Sequence, residues 1–66
     1  MNKEEAKQLA RKIVSESPEC RVTGLLDFGD GEYAIEVRDT ERKEQFNVLN
    51  EKDWFVRREK KKKGLL

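Results

Sequence analysis

The apolar residues of this 66-residue chain keep two different periods, and the switch between them constrains the fold more than any other feature. Ala6, Leu9, Ala10, Ile13 and Val14 fall at i, i+3, i+4, i+7 and i+8, the spacing of a single apolar stripe along a helix. From Glu19 onward the period is two, with Cys20, Val22, Leu26 and Phe28 on one side of a strand and Arg21, Thr23, Leu25 and Asp27 on the other. A one-sided helix and one-sided strands each need a cover, and the simplest arrangement lays the helix on one face of an antiparallel sheet.

Local chemistry sharpens the boundaries. Asn2 is placed to cap the helix, Glu5 stands three residues on in a capping-box relation, and Glu4 and Glu5 put negative charge at the positive end of the helix dipole. Pro18 disfavours helical geometry at Ser17, so the helix should stop near Ser15 or Glu16. Gly24 interrupts the first strand, either as a bulge or as a surface glycine. Gly29-Asp30-Gly31 supplies the residues that a tight hairpin demands. Tyr33, Ile35 and Val37 alternate with Glu32, Ala34, Glu36 and Arg38 in a second strand, and Asp39 to Lys43 reads as a turn. Phe46 and Val48 alternate with Gln45, Asn47 and Leu49 in a third strand. Asn50-Glu51-Lys52-Asp53 then reads as another turn, and Trp54-Phe55-Val56 as a short last strand. The expectation is an α+β fold, with one N-terminal amphipathic helix packed on a three- to four-stranded antiparallel meander. It occupies residues 1–57 as a single domain, followed by a disordered basic tail over residues 58–66.

With 35% hydrophobic and 44% charged residues the core must be small, so modest stability, or support from a partner or a second copy, is expected. One cysteine, Cys20, excludes an intramolecular disulfide and fits a reducing, cytoplasmic setting. On the apolar face it reads as a small core residue rather than a reactive thiol. No apolar run exceeds three residues, which leaves neither a membrane span nor an export signal, and Gly64-Leu65-Leu66 is too short to anchor in a bilayer.

The chain has no histidine, hence no ordinary general base near neutral pH and none of the commonest metal ligand. One cysteine cannot form a zinc cluster. Asp27, Asp30 and Glu32 surround a hairpin instead of a calcium loop, and Gly29-Asp30-Gly31 lacks the lysine and following helix of a phosphate loop. The chain is therefore read as a noncatalytic module without cofactor or metal.

Two surfaces remain for binding. Arg57, Arg58, Lys60, Lys61, Lys62 and Lys63 place six cations in seven residues beside Trp54 and Phe55, a strip suited to phosphates with aromatic stacking partners. Residues 1–56 hold nine cations and thirteen acids, so an acidic body opposes approach of a polyanion, and the simplest role of the strip is solvation. Adjacent strand residues point to opposite faces, so one of Trp54 and Phe55 should lie outside the core. With Leu25 and Leu49 it would form an apolar patch for another protein or a second copy. An open sheet edge offers a further route by strand addition. Another protein, or self-association as a homodimer, is the first expectation for a partner, and nucleic acid the second.

Lys3-Glu4-Glu5-Ala6, the stripe through Leu9, Ala10 and Ile13, the Pro18 break, Val22-Thr23-Gly24-Leu25-Leu26 and Glu32-Tyr33-Ala34-Ile35-Glu36-Val37 together resemble the PepSY-type small domain. There a helix precedes a meander whose second strand is a tyrosine followed by alternating valines. The resemblance covers roughly residues 3–56 and implies a noncatalytic interaction domain, proposed in that family to modulate peptidases. The chain departs from it in two places: Asn50-Glu51-Lys52-Asp53 replaces an Asp-x-x-Thr-Gly-like turn, and the export signal is missing. The double-stranded-RNA-binding domain shares the α-β-β-β order, but with residues 50–56 read as turn and strand there is no room for its final helix.

Overall fold

Asn2 does cap the first helix: its side chain accepts the Glu5 amide at 2.8 Å while the Glu5 carboxylate accepts the Asn2 amide at 2.9 Å. The helix that follows, α1 (Lys3–Glu16), buries Ala6, Leu9 and Ile13 and stops just before Pro18. The computed structural model describes residues 1–64 and continues with β1 (Cys20–Gly29), β2 (Glu32–Asp39), β3 (Glu44–Val48) and α2 (Glu51–Lys62). The three strands form one antiparallel sheet in the order β1-β2-β3, and α1 packs on it, as expected for the α+β class.

The β1–β2 connection works because Asp30 and Gly31 both take positive φ, 54° and 73°, the hand that matches strand twist in a two-residue hairpin. Asp27 braces it by accepting the Gly29 amide at 2.8 Å. The core gathers Ala6, Leu9 and Ile13 of α1, Cys20 of β1, Ile35 and Val37 of β2, Val48 of β3, and Trp54 of α2.

Gly24 marks a bulge. Val22 pairs with Val37, but Gly24 pairs with Glu36 and Leu25 with Ile35, so one extra residue enters β1 and the phase of its side chains shifts. Leu25 therefore packs against the core, and Leu26 pairs with the buried Ala34 on the far face. This corrects the simple alternation, which put Leu26 and Phe28 inward and Leu25 outward; Phe28 is exposed.

The second correction concerns residues 50–63. Asn50 starts a helix instead of a turn: its side chain accepts the Asp53 amide at 2.8 Å, and Asp53 in turn accepts the Leu49 amide at 2.9 Å. Glu51 and Asp53 lie in the positive first turn and Lys60, Lys61 and Lys62 in the negative last turn, both favourable to the dipole. Trp54-Phe55-Val56 is thus helical instead of a fourth strand, and most of the expected disordered tail is the second half of α2. Lys63 caps that helix and Gly64 follows it with φ 72°, while Leu65 and Leu66 lie outside the described residues. The order is α-β-β-β-α, so the chain does have room for a final helix, against the expectation from its sequence.

Candidate interaction surface

α2 is held by one buried aromatic residue and by a series of polar and ionic contacts. Its buried residue is Trp54, whose indole Nε1 donates to Glu16 Oε1 at 3.1 Å; Arg58 Nη1 donates to the same oxygen at 3.0 Å. Lys12 meets Glu51 at 2.9 Å. Because Lys12 contacts the start of α2 and Glu16 its middle, the two helices run side by side in the same direction. Arg57 lies over the Phe46 ring of β3, 3.9 Å from its centroid, and its buried Nε has no hydrogen-bond partner among the described residues.

The last turn of α2 is fastened at the far end of the sheet. Lys61 donates to Asp39 Oδ2 at 2.7 Å and also to Glu19 Oε2. Asp39 is buried, and its other oxygen accepts the amides of Glu41 and Arg42, both at 3.0 Å, so one carboxylate organises the β2–β3 turn and receives α2. Burial alone would raise the Asp39 pKa, but the Lys61 ammonium and the two amides outweigh it and hold the value below the usual range. The hydrogen bond from Lys61 likewise lowers Glu19. For Lys61 itself, desolvation is more than offset by the two carboxylates, and the ammonium stays protonated well above its ordinary range.

Cys20 lies at this junction, with ligand atoms of Glu19, Cys20 and Asp39 all within 4.8 Å of one another. The Lys61 ammonium bonds to both carboxylates, so a cation of the chain itself serves that cluster. Desolvation, followed by the Glu19 and Asp39 charges, pushes the Cys20 thiol up to about 11, the opposite of what activates a nucleophile.

The structure divides the residues singled out in the sequence. Of the proposed apolar patch, Leu25 and Trp54 belong to the interior, whereas Leu49 and Phe55 are exposed. Phe55 lines the groove between the helices together with Lys12, Glu16, Lys52 and Arg58; Leu49 does not line it. Of the proposed phosphate strip, Arg57, Arg58 and Lys61 are engaged within the fold. Lys60, Lys62 and Lys63 are exposed and make no ion pair among the described residues.

What emerges is a stripe that sequence reasoning did not assemble. Lys52, Phe55, Val56, Glu59, Lys60 and Lys63 follow one another at i, i+3, i+4, i+7, i+8 and i+11 along α2, and all but the half-buried Glu59 are exposed. Phe55 is 61% exposed and Val56 39%. The signal was available: Trp54, Arg57, Arg58 and Lys61 at i, i+3, i+4 and i+7 mark the opposite, inward side.

Fold and surface together define a small α+β domain with two parallel helices on a three-stranded sheet. No family model, curated protein or solved structure matches the chain. Among the described residues, no helix is long and apolar enough to cross a membrane.

Proposed function

We propose that this chain is a noncatalytic docking module for another protein, and that the outward stripe of α2 is its contact surface. The observation that carries this reading is that Phe55 and Val56, consecutive in α2, are both exposed on a helix whose other exposed residues are charged. Leaving a large aromatic and an aliphatic side chain uncovered sacrifices apolar burial in a domain with little to spare, and an adjacent exposed pair is the seed of an interface.

Two observations weigh against nucleic acid as the partner. Three of the six clustered cations are committed to Glu16, Glu19, Asp39 and Phe46, and Trp54 is buried, leaving Phe55 as the exposed aromatic of the pair. The other end of the domain is acidic: residues 22–37 contain Asp27, Asp30, Glu32 and Glu36 and no cation. A double-stranded-RNA-binding domain covers about 16 base pairs by phosphate and groove contacts. The shared element order therefore comes without a basic face of that length. The PepSY-type resemblance points to the same noncatalytic class of role, and a single buried cysteine fits a reducing, cytoplasmic setting.

The test is site-specific photocrosslinking in the native cell, with a benzophenone side chain replacing Phe55 and, as control, Phe28. Discrete protein adducts from position 55, lost on Val56→Asp, are expected. Adducts only to nucleic acid, or none, would overturn the proposal.

A further inference from the structure

Resting on that docking reading, we infer that the partner presents an acidic amphipathic segment, which lays an apolar side chain on Phe55 and Val56 and carboxylates against Lys52, Lys60 and Lys63. The charges around the apolar pair select the occupant. Along the stripe three lysines flank the pair and one acid, Glu59, interrupts them; Glu51, one turn before Phe55, is paired with Lys12 at 2.9 Å, and Lys62 adds a further exposed cation. Complementary charge at the rim fixes which partners approach and in what orientation.

A symmetric second copy does not satisfy this surface. Packing α2 on α2 would set Lys52, Lys60 and Lys63 of one chain against the same lysines of the other, and like charges opposed across an interface disfavour it. The twelve residues of α2 offer a length suited to a single helix or extended segment lying along it. The internal contacts leave this side free: Arg57, Arg58 and Lys61 spend their charge inward, so a partner does not have to break the fold to reach the outer lysines. The small apolar anchor makes the complex a transient one.

A fluorescent helical peptide with leucines along one face and glutamates elsewhere is the probe, titrated by anisotropy against the full chain. Polyglutamate and a single-stranded oligonucleotide of equal charge are the comparators. The amphipathic peptide should bind at least several-fold more tightly than either. Both Phe55→Ser and the double change Lys60→Glu/Lys63→Glu should weaken it about tenfold. These positions are solvent-facing, and unchanged circular dichroism and melting show that the variants fold. Equal binding of polyglutamate, tighter binding of the oligonucleotide, no binding of the peptide, or a dimer of the chain abolished by Phe55→Ser would each overturn the inference. Protein adducts from position 55 without affinity for the acidic peptide would leave the docking function standing and remove only the partner's chemistry.

Discussion

The ammonium of Lys61 lies 2.7 Å from the buried Asp39 carboxylate, joining the last turn of α2 to the end of β2. A residue expected in a solvated tail is thus part of the fold. Replacing Lys61 with methionine should keep most of the stem packing but leave Asp39 buried without its counter-ion. Urea denaturation is expected to show a loss of about 1–3 kcal/mol, the cost of leaving a buried charged acceptor without its donor while its other oxygen keeps two amides. The same change at Lys60, which is exposed, should alter stability by less than about 0.5 kcal/mol.

The same junction sets the response to pH. Asp39 and Glu19 titrate below their ordinary values of 3.8 and 4.5, so their contribution is present above those values and is lost as pH falls through the depressed ones. Cys20 behaves in the opposite sense, because a thiol pushed from 9.0 to about 11 keeps its proton in the folded chain. Its contribution is present below pH 9 and is lost as pH rises toward 11. With no histidine, no side chain of ordinary pKa near neutrality intervenes. Melting temperature should therefore be flat across neutral pH and fall on both sides, and Cys20→Ala should soften the alkaline fall while leaving the acid one.

Trp54 is the principal apolar anchor of α2. Trp54→Ala should cost about 3–5 kcal/mol. That is much of what a chain of this size has, so circular dichroism should report a largely unfolded protein. Trp54→Phe keeps the ring but removes the donor to Glu16, and a loss of about 1 kcal/mol is expected from that bond. Retention of full stability by the alanine variant would mean that α2 does not dock through this residue.

Glycine is needed at the hairpin and not at the bulge. A methyl group at Gly24 would meet Glu36 Oε1 at 3.9 Å, an ordinary contact, so Gly24→Ala should be within about 0.5 kcal/mol of neutral in thermal unfolding. Gly29 and Gly31 have φ of 90° and 73°, and alanine at either should cost about 1 kcal/mol or more.

The parts of the fold visible in the sequence are those where burial has a period. The α1 stripe and its capping box, the Gly29-Asp30-Gly31 hairpin and the alternation of β2 and β3 all follow from side chains that must enter one core. Leu25 and Leu26 were exchanged because a single unpaired residue beside Gly24 shifts the phase, and periodicity cannot register an insertion that is set by pairing. α2 was missed for a different reason. One of its twelve residues is buried, and its inward side is otherwise made of Arg57, Arg58 and Lys61 held by distant acids, so no apolar stripe announces it. Asn50 three residues before Asp53 was the cue, read as a turn because caps and turns draw on the same residue types. The proposed apolar patch loses Leu25 through the bulge, and of Trp54 and Phe55 helical geometry sends the first inward and the second out.

Lys61 and Glu19 are separated by 42 residues, and the acids that hold Lys61 come together only after Cys20 has paired with Asp39 across the first hairpin. Closing a contact of that sequence separation costs most before the sheet exists, so the ion pair is expected to form after the strands have paired. Interactions absent from the folding transition state leave the folding rate alone and slow unfolding. The basic end of the helix is thus expected to set how long the native state lasts more than how quickly it is reached, and Lys61→Met should speed unfolding in stopped-flow traces with little change in the folding rate.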